Sequence, residues 1–144
     1  MKDNKNIEFL NSIYQISEMG VIGINDVIDK VKRSEFREFL ESQRREYDEV
    51  LNKCETILTS YGAKEKELSK MVKMNSKVMS EMKLFKNDDD TVIAKMMAEG
   101  TTKGIVKLEE ARNTYNDSDE EAVLLADKLL RILKNNIERL KIYL

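Results

Sequence analysis

From Ile7 onward, apolar side chains recur at alternating steps of three and four: Ile7, Leu10, Tyr14, Val21, Ile24, Ile28 and Val31, with Ser17 as the polar member of the series. This is the repeat of one face of an α-helix, and it predicts a first helix over 5–32. A second series, Phe36, Leu40, Tyr47, Val50, Cys54, Ile57 and Tyr61, is interrupted by Gln43 alone and predicts a helix over 34–61. Ser34 is placed to be its N-cap and Gly62 to occupy the C′ position. Only a residue or two around Arg33 separates the two stretches, so they must fold back as an antiparallel hairpin.

The remainder repeats the theme. Residues 63–86 carry Leu68, Met71, Val72, Val78, Met79, Met82 and Phe85 on one side and lysines on the other. This predicts an amphipathic crossover helix, with a fifth full bundle member as the alternative. Asn87, Asp88, Asp89 and Asp90 supply N-cap side chains and negative charge for a helix over 90–115. Its inward series is Ile93, Met97, Gly100, Gly104, Leu108, Ala111 and Tyr115. Ser118 and Glu121 have capping-box spacing and open a last helix over 118–143, with Ala122, Ala126, Leu129, Leu133, Ile137, Leu140 and Leu144 inward. No stretch alternates as a strand would, and the chain contains no proline. The expectation is a single all-α domain over 1–144, a four-helix bundle made of two hairpins.

Two glycine pairs interrupt this helical pattern. Gly20 and Gly23 share a face of the first helix, and Gly100 and Gly104 share a face of the third. Each glycine costs a helix interior about 1 kcal/mol relative to alanine. Close packing is the expected compensation: the first and third helices touch near their centres, or make room for a large side chain such as Tyr14, Met19 or Met97. On that reading Gly104→Ala is destabilising. The alternative is a helix break at Gly100. Ser17, Gln43, Thr101 and Asn136 lie on or beside the seams and are candidates for a polar core set that fixes helix register, or for a remnant ligand pocket.

Several chemistries are disfavoured by composition. There is no histidine, which removes serine–histidine and cysteine–histidine catalysis and the Glu-x-x-His element of a di-metal carboxylate centre. No Asp or Glu falls on the inward series; Glu18, Glu41, Glu99 and Glu138 lie beside the seams. Six of the eight methionines fall between Met71 and Met97, a pattern that suits gap filling or an adaptable partner surface better than a soft-metal site. Cys54, the single cysteine, sits on an apolar stripe as a structural thiol. Phosphate-binding glycine loops are absent. The net charge of −2 is spread in both signs, so nucleic acid is not an expected partner. The polar start MKDNKNIEFL and the lack of an apolar run predict neither a signal peptide nor a membrane span, and a cytoplasmic location is expected.

The segments "IEFLNSIYQISEMGVIGIND", "EFLESQRREYDEVL", "MAEGTTKGIVKLEEA" and "NNIERLKIYL" together resemble small bacterial ferritin-like four-helix proteins of unassigned function. The resemblance covers nearly the whole chain, and its most particular features are the glycine of "AEG" and the Gln43-Arg44 pair. It implies a ferritin-like bundle with a long, partly helical connection between the second and third helices. Where metal-binding ferritin-like chains carry Glu-x-x-His, this chain reads Glu41-Ser42-Gln43-Arg44 and Glu138-Arg139-Leu140-Lys141. The fold carries over on that resemblance and the iron chemistry does not, so the expected function is a non-catalytic interaction or assembly module without metal or cofactor, which self-associates or binds another helical protein. The alternatives are an iron-oxidising or storing di-metal bundle and a small-ligand carrier with a pocket near Gly100 and Gln43.

Overall fold

A computed structural model of the chain describes residues 2–63 and 89–144. Among these, four helices form: α1 (Lys2–Val27), α2 (Ser34–Ser60), α3 (Asp89–Thr114) and α4 (Glu120–Leu140). No strand occurs among the described residues. The expected crossover over 63–86 lies, from residue 64 on, outside them.

The helix ends fix the topology. The Asp90 carboxylate, in the first turn of α3, accepts the backbone N–H groups of Lys32 and Arg33 at 2.8 and 2.9 Å. The start of α3 therefore lies beside the α1–α2 turn. At the opposite end, the Asn6 carbonyl oxygen accepts the Asp119 N–H at 2.7 Å, and the Tyr61 hydroxyl donates to the Asp119 carboxylate. The end of α2 and the start of α4 thus lie beside the start of α1. Helices α2 and α3 consequently run parallel, and the four directions read up, down, down, up. Helix α1 packs on α2 and α3, and α4 packs on α3 and α2, which leaves α2 and α3 across one diagonal.

The buried seams follow the apolar series, and the stripe is wider than a single line of contacts. Phe9, Ile13, Phe39, Leu58, Leu125 and Ile132 are buried beside it because each helix faces more than one neighbour. Each such side chain removed from water contributes roughly 1.5–3 kcal/mol.

The termini differ from expectation in four places. Helix α1 gives way at Val27 to a 3₁₀ turn over Ile28–Lys30, and Val31 is extended, which turns the next two amides toward Asp90. Arg33, not Ser34, is the N-cap of α2, and its side chain makes no capping bond. Asp119, not Ser118, is the N-cap of α4, which moves Glu121 out of capping-box register. The Asp119 carboxylate is engaged by Tyr61, and Ser118 Oγ is buried without a partner. After α4 the chain tightens into a 3₁₀ turn, Lys141–Tyr143. At three residues per turn this shifts the inward position from Leu144, which is exposed, to Tyr143, whose ring stacks on Phe36 with centroids 4.3 Å apart.

The end of α2 follows its sequence signal. Gly62 has φ 72°, its N–H donates to the Thr59 carbonyl, and the Ala63 N–H donates to the Leu58 carbonyl at 2.9 Å. That pair of bonds is a Schellman motif, and it requires the left-handed backbone that glycine adopts without penalty.

Asp90→Ala leaves two amides at the turn without their acceptor and is expected to lower unfolding free energy by roughly 1–3 kcal/mol in urea melts. Asp90→Asn keeps one acceptor oxygen and should lose less.

Candidate functional site

Tyr47 lies where the four helices converge. On α2 it follows Gln43 by one turn, and both point into the bundle with Val50 and Cys54. Its ring lies against the Gly20 backbone of α1: a Cβ added at Gly20 would sit 2.6 Å from one ring carbon and 2.8 Å from two others. Its hydroxyl meets Asn136 of α4, whose Nδ2 donates across 3.4 Å, and it also hydrogen-bonds Thr101 of α3. The Thr101 hydroxyl itself donates to the Met97 carbonyl of its own helix at 2.7 Å. A chain of polar groups therefore runs from α4 through α2 to α3 across the core, with α1 against the ring.

The four seam candidates divide by role. Thr101 and Asn136 join Tyr47. Ser17 is fully buried, but its hydroxyl donates to the Ile13 carbonyl of its own helix at 2.9 Å. Gln43 is fully buried, and neither atom of its amide has a protein partner. Tyr47 itself reads in the sequence as one more apolar member of the stripe, as does Asp90 as a helix cap. Asn6 and Asn11, also buried, gave no sequence signal because they stand next to the stripe rather than on it.

The glycines also divide. Only Gly20 faces a crowded contact, and the large side chain opposite is Tyr47 rather than Tyr14, Met19 or Met97. Gly23 and Gly100 face open space, and Gly100 is exposed rather than inward. Close packing therefore does not account for those two, and α3 continues unbroken through Gly100. Gly104 lies between Ile16 of α1 and Leu133 of α4 at 3.6–3.7 Å, an ordinary contact distance that a methyl group fits. The destabilisation expected for Gly104→Ala is thereby reversed.

The electrostatics are those of a core. Burial pushes the Tyr47 phenol up to about 12, partly offset by the hydrogen bond from Asn136. Burial likewise pushes the Cys54 thiol up to about 12, and its Sγ donates to the Leu10 carbonyl at 3.4 Å. Burial raises the Glu46 carboxyl too, with Arg139 and Lys128 pulling it down and Glu49 pushing it up. On the rim, the Arg112 guanidinium holds the Asp127 carboxyl below its usual range through bonds of 2.6 and 3.2 Å. This pair ties α3 to α4 at the surface, where such contacts contribute little.

Among the described residues, no group of three carboxylate or thiol side chains could hold a metal ion. Glu138 pairs with Lys141 at 2.8 Å on the surface, and Arg44 donates to Asn25 at 2.7 Å, also exposed. Of the methionine run, Met96 and Met97 pack partly buried against the core, and Met71 to Met82 lie outside the described residues. A surface groove of about 290 Å³ between α1 and α3 is lined by Ile16, Met19, Ala111 and Tyr115 and shares no residue with the Gly100–Gln43 position. No described helix is long and apolar enough to cross a membrane.

Residues 5–114 match the model of a domain family of unknown function, DUF2383. The chain belongs to the DUF2383 family. The DUF2383 match covers α1 through α3, including Gly20, Gln43, Tyr47 and Thr101, and ends at the last residue of α3. Asn136 comes from beyond it. No curated protein and no solved structure matches the chain.

Gly20→Ala should destabilise by roughly 1–3 kcal/mol, since the buried Tyr47 ring must shift. Gly23→Ala and Gly100→Ala should each stabilise by up to about 1 kcal/mol. Thermal melts of the three variants check the signs.

The folded Tyr47 phenol titrates near 12, above its ordinary value of 10.0. Because the folded value is the higher one, the neutral phenol's contribution to stability is intact below pH 10.0 and is lost as pH rises toward 12. Absorbance titration of tyrosinate should show one tyrosine ionising last, absent in Tyr47→Phe. Thiol reagents should modify Cys54 only after unfolding.

Proposed function

We propose that this DUF2383 chain is a ferritin-like bundle acting as a non-catalytic interaction or assembly module in the cytoplasm, its interior given over to neutral polar groups in place of a metal centre. The up-down-down-up order of the helices supports the ferritin-like assignment, since that order needs one long connection between the second and third helices. The observation that carries the functional reading is the occupant of the bundle centre. Tyr47, Gln43, Thr101 and Asn136 present hydroxyls and amides there, whereas the side chains at the Glu-x-x-His spacings, Arg44, Glu138 and Lys141, turn outward to surface partners. Among the described residues, Glu46 alone brings a carboxylate to the α2–α4 seam, where Arg139 and Lys128 of α4 act on it, and a cluster of acids there would have to displace packed side chains and bear its own desolvation.

Self-association or docking with another helical protein is the activity this leaves. Val106, Leu124, Ile142 and Leu144 are large apolar side chains more than half exposed. The buried, unreactive thiol suits a reducing compartment.

Sedimentation of the purified chain, paired with elemental analysis after growth in iron- and manganese-supplemented medium, tests the reading. The expected result is a defined oligomer, or a co-purifying helical partner, with no stoichiometric metal. Two iron or manganese ions per chain would overturn it in favour of a di-metal oxidase or storage bundle.

A further inference from the structure

We propose that the seam between α2 and α4 is an internal water-binding site, formed by Gln43, Glu46 and Tyr47 of α2 and Asn136 of α4. The three α2 residues are spaced i, i+3 and i+4 and so line one face of that helix. Asn136 meets Tyr47 from α4, and Glu46 interacts with Arg139 and Lys128 of the same helix α4. Four buried side-chain atoms of these residues have no protein partner: Gln43 Nε2, Gln43 Oε1, Glu46 Oε1 and Asn136 Oδ1.

The chemistry of that set selects the ligand. It contains one amide donor and three acceptors. A bare cation would be repelled by the Nε2 hydrogens, and an anion would meet three oxygens. A molecule that both donates and accepts satisfies the set, as water does in protein interiors, typically with about three hydrogen bonds. Size points the same way. Gln43 and Asn136 have no exposed surface, so anything much larger than water would have to force the packed helices α2 and α4 apart. Leaving the four atoms unmet would impose a desolvation penalty on each, and bridging water removes it at a modest entropic cost. The site is thus a built element of the core, joining Gln43 to the chain that runs from Asn136 through Tyr47 to Thr101. It holds whichever partner the outer surface binds.

Water-selective nuclear Overhauser and rotating-frame spectra of the ¹⁵N-labelled full chain test this. The expected result is cross-peaks between water and the side-chain amide protons of Gln43 and Asn136, of opposite sign in the two experiments, as for water held longer than the molecule tumbles. In Gln43→Met, which keeps side-chain length and removes both polar atoms, the Asn136 cross-peak should be lost or strongly reduced while the backbone spectrum stays folded. Should that variant not fold, the wild-type spectra decide alone. Two results would overturn the site: Gln43 amide protons with cross-peaks to protein only, or a small organic molecule retained in the native mass spectrum with its own protons against Gln43.

Discussion

A tyrosine ring set directly on a glycine backbone holds the middle of this bundle together. Tyr47 extends from α2 into the centre and needs Gly20 of α1 to leave its Cβ position empty. Its hydroxyl needs Asn136 and Thr101, which stand on the remaining two helices. A rotation or slide of any one helix would bring the ring against a side chain or strand a buried hydroxyl, and both are strongly destabilising in a packed interior. Apolar seams alone tolerate small sliding. The polar contacts around Tyr47 choose one register.

The helix ends play the corresponding role for topology. In each case a polar side chain near the start of one helix serves backbone amides of another: Asp90 those of Lys32 and Arg33, and Asn6 that of Asp119. These bonds bring the start of α3 to the α1–α2 turn and the start of α4 to the start of α1. Helices α2 and α3 are thereby parallel. At the start of α4 the Asp119 carboxylate is taken by Tyr61, and no side chain caps that helix.

This arrangement bears on function through what occupies the interior. Hydroxyl and amide groups fill a centre where metal-binding carboxylate bundles place acids, and the charged residues at comparable spacings are on the surface. What remains distinctive is outside: scattered large apolar side chains on α3, on α4 and at the chain's last residues.

The four described helices and most of their buried faces were legible because a 3.6-residue repeat is a local property, readable wherever apolar side chains keep their spacing. The left-handed turn at Gly62 was legible for the same reason, since only nearby residues decide it. The role of each glycine was not. Gly20, Gly23, Gly100 and Gly104 look alike along the chain, yet one faces an aromatic ring, one ordinary contacts and two open space, because what lies opposite is set by another helix. Gln43, Thr101 and Asn136 could be placed on seams from their positions, but that two of them meet at Tyr47 while Gln43 finds no protein partner depends on how far each helix is shifted along its neighbours. The sequence by itself determined the helices of the described residues and which of their faces turn inward, through side-chain spacing. Only the tertiary structure decided register, end-to-end pairing and the Tyr47 centre, because those rest on contacts between residues some 20 to 110 positions apart.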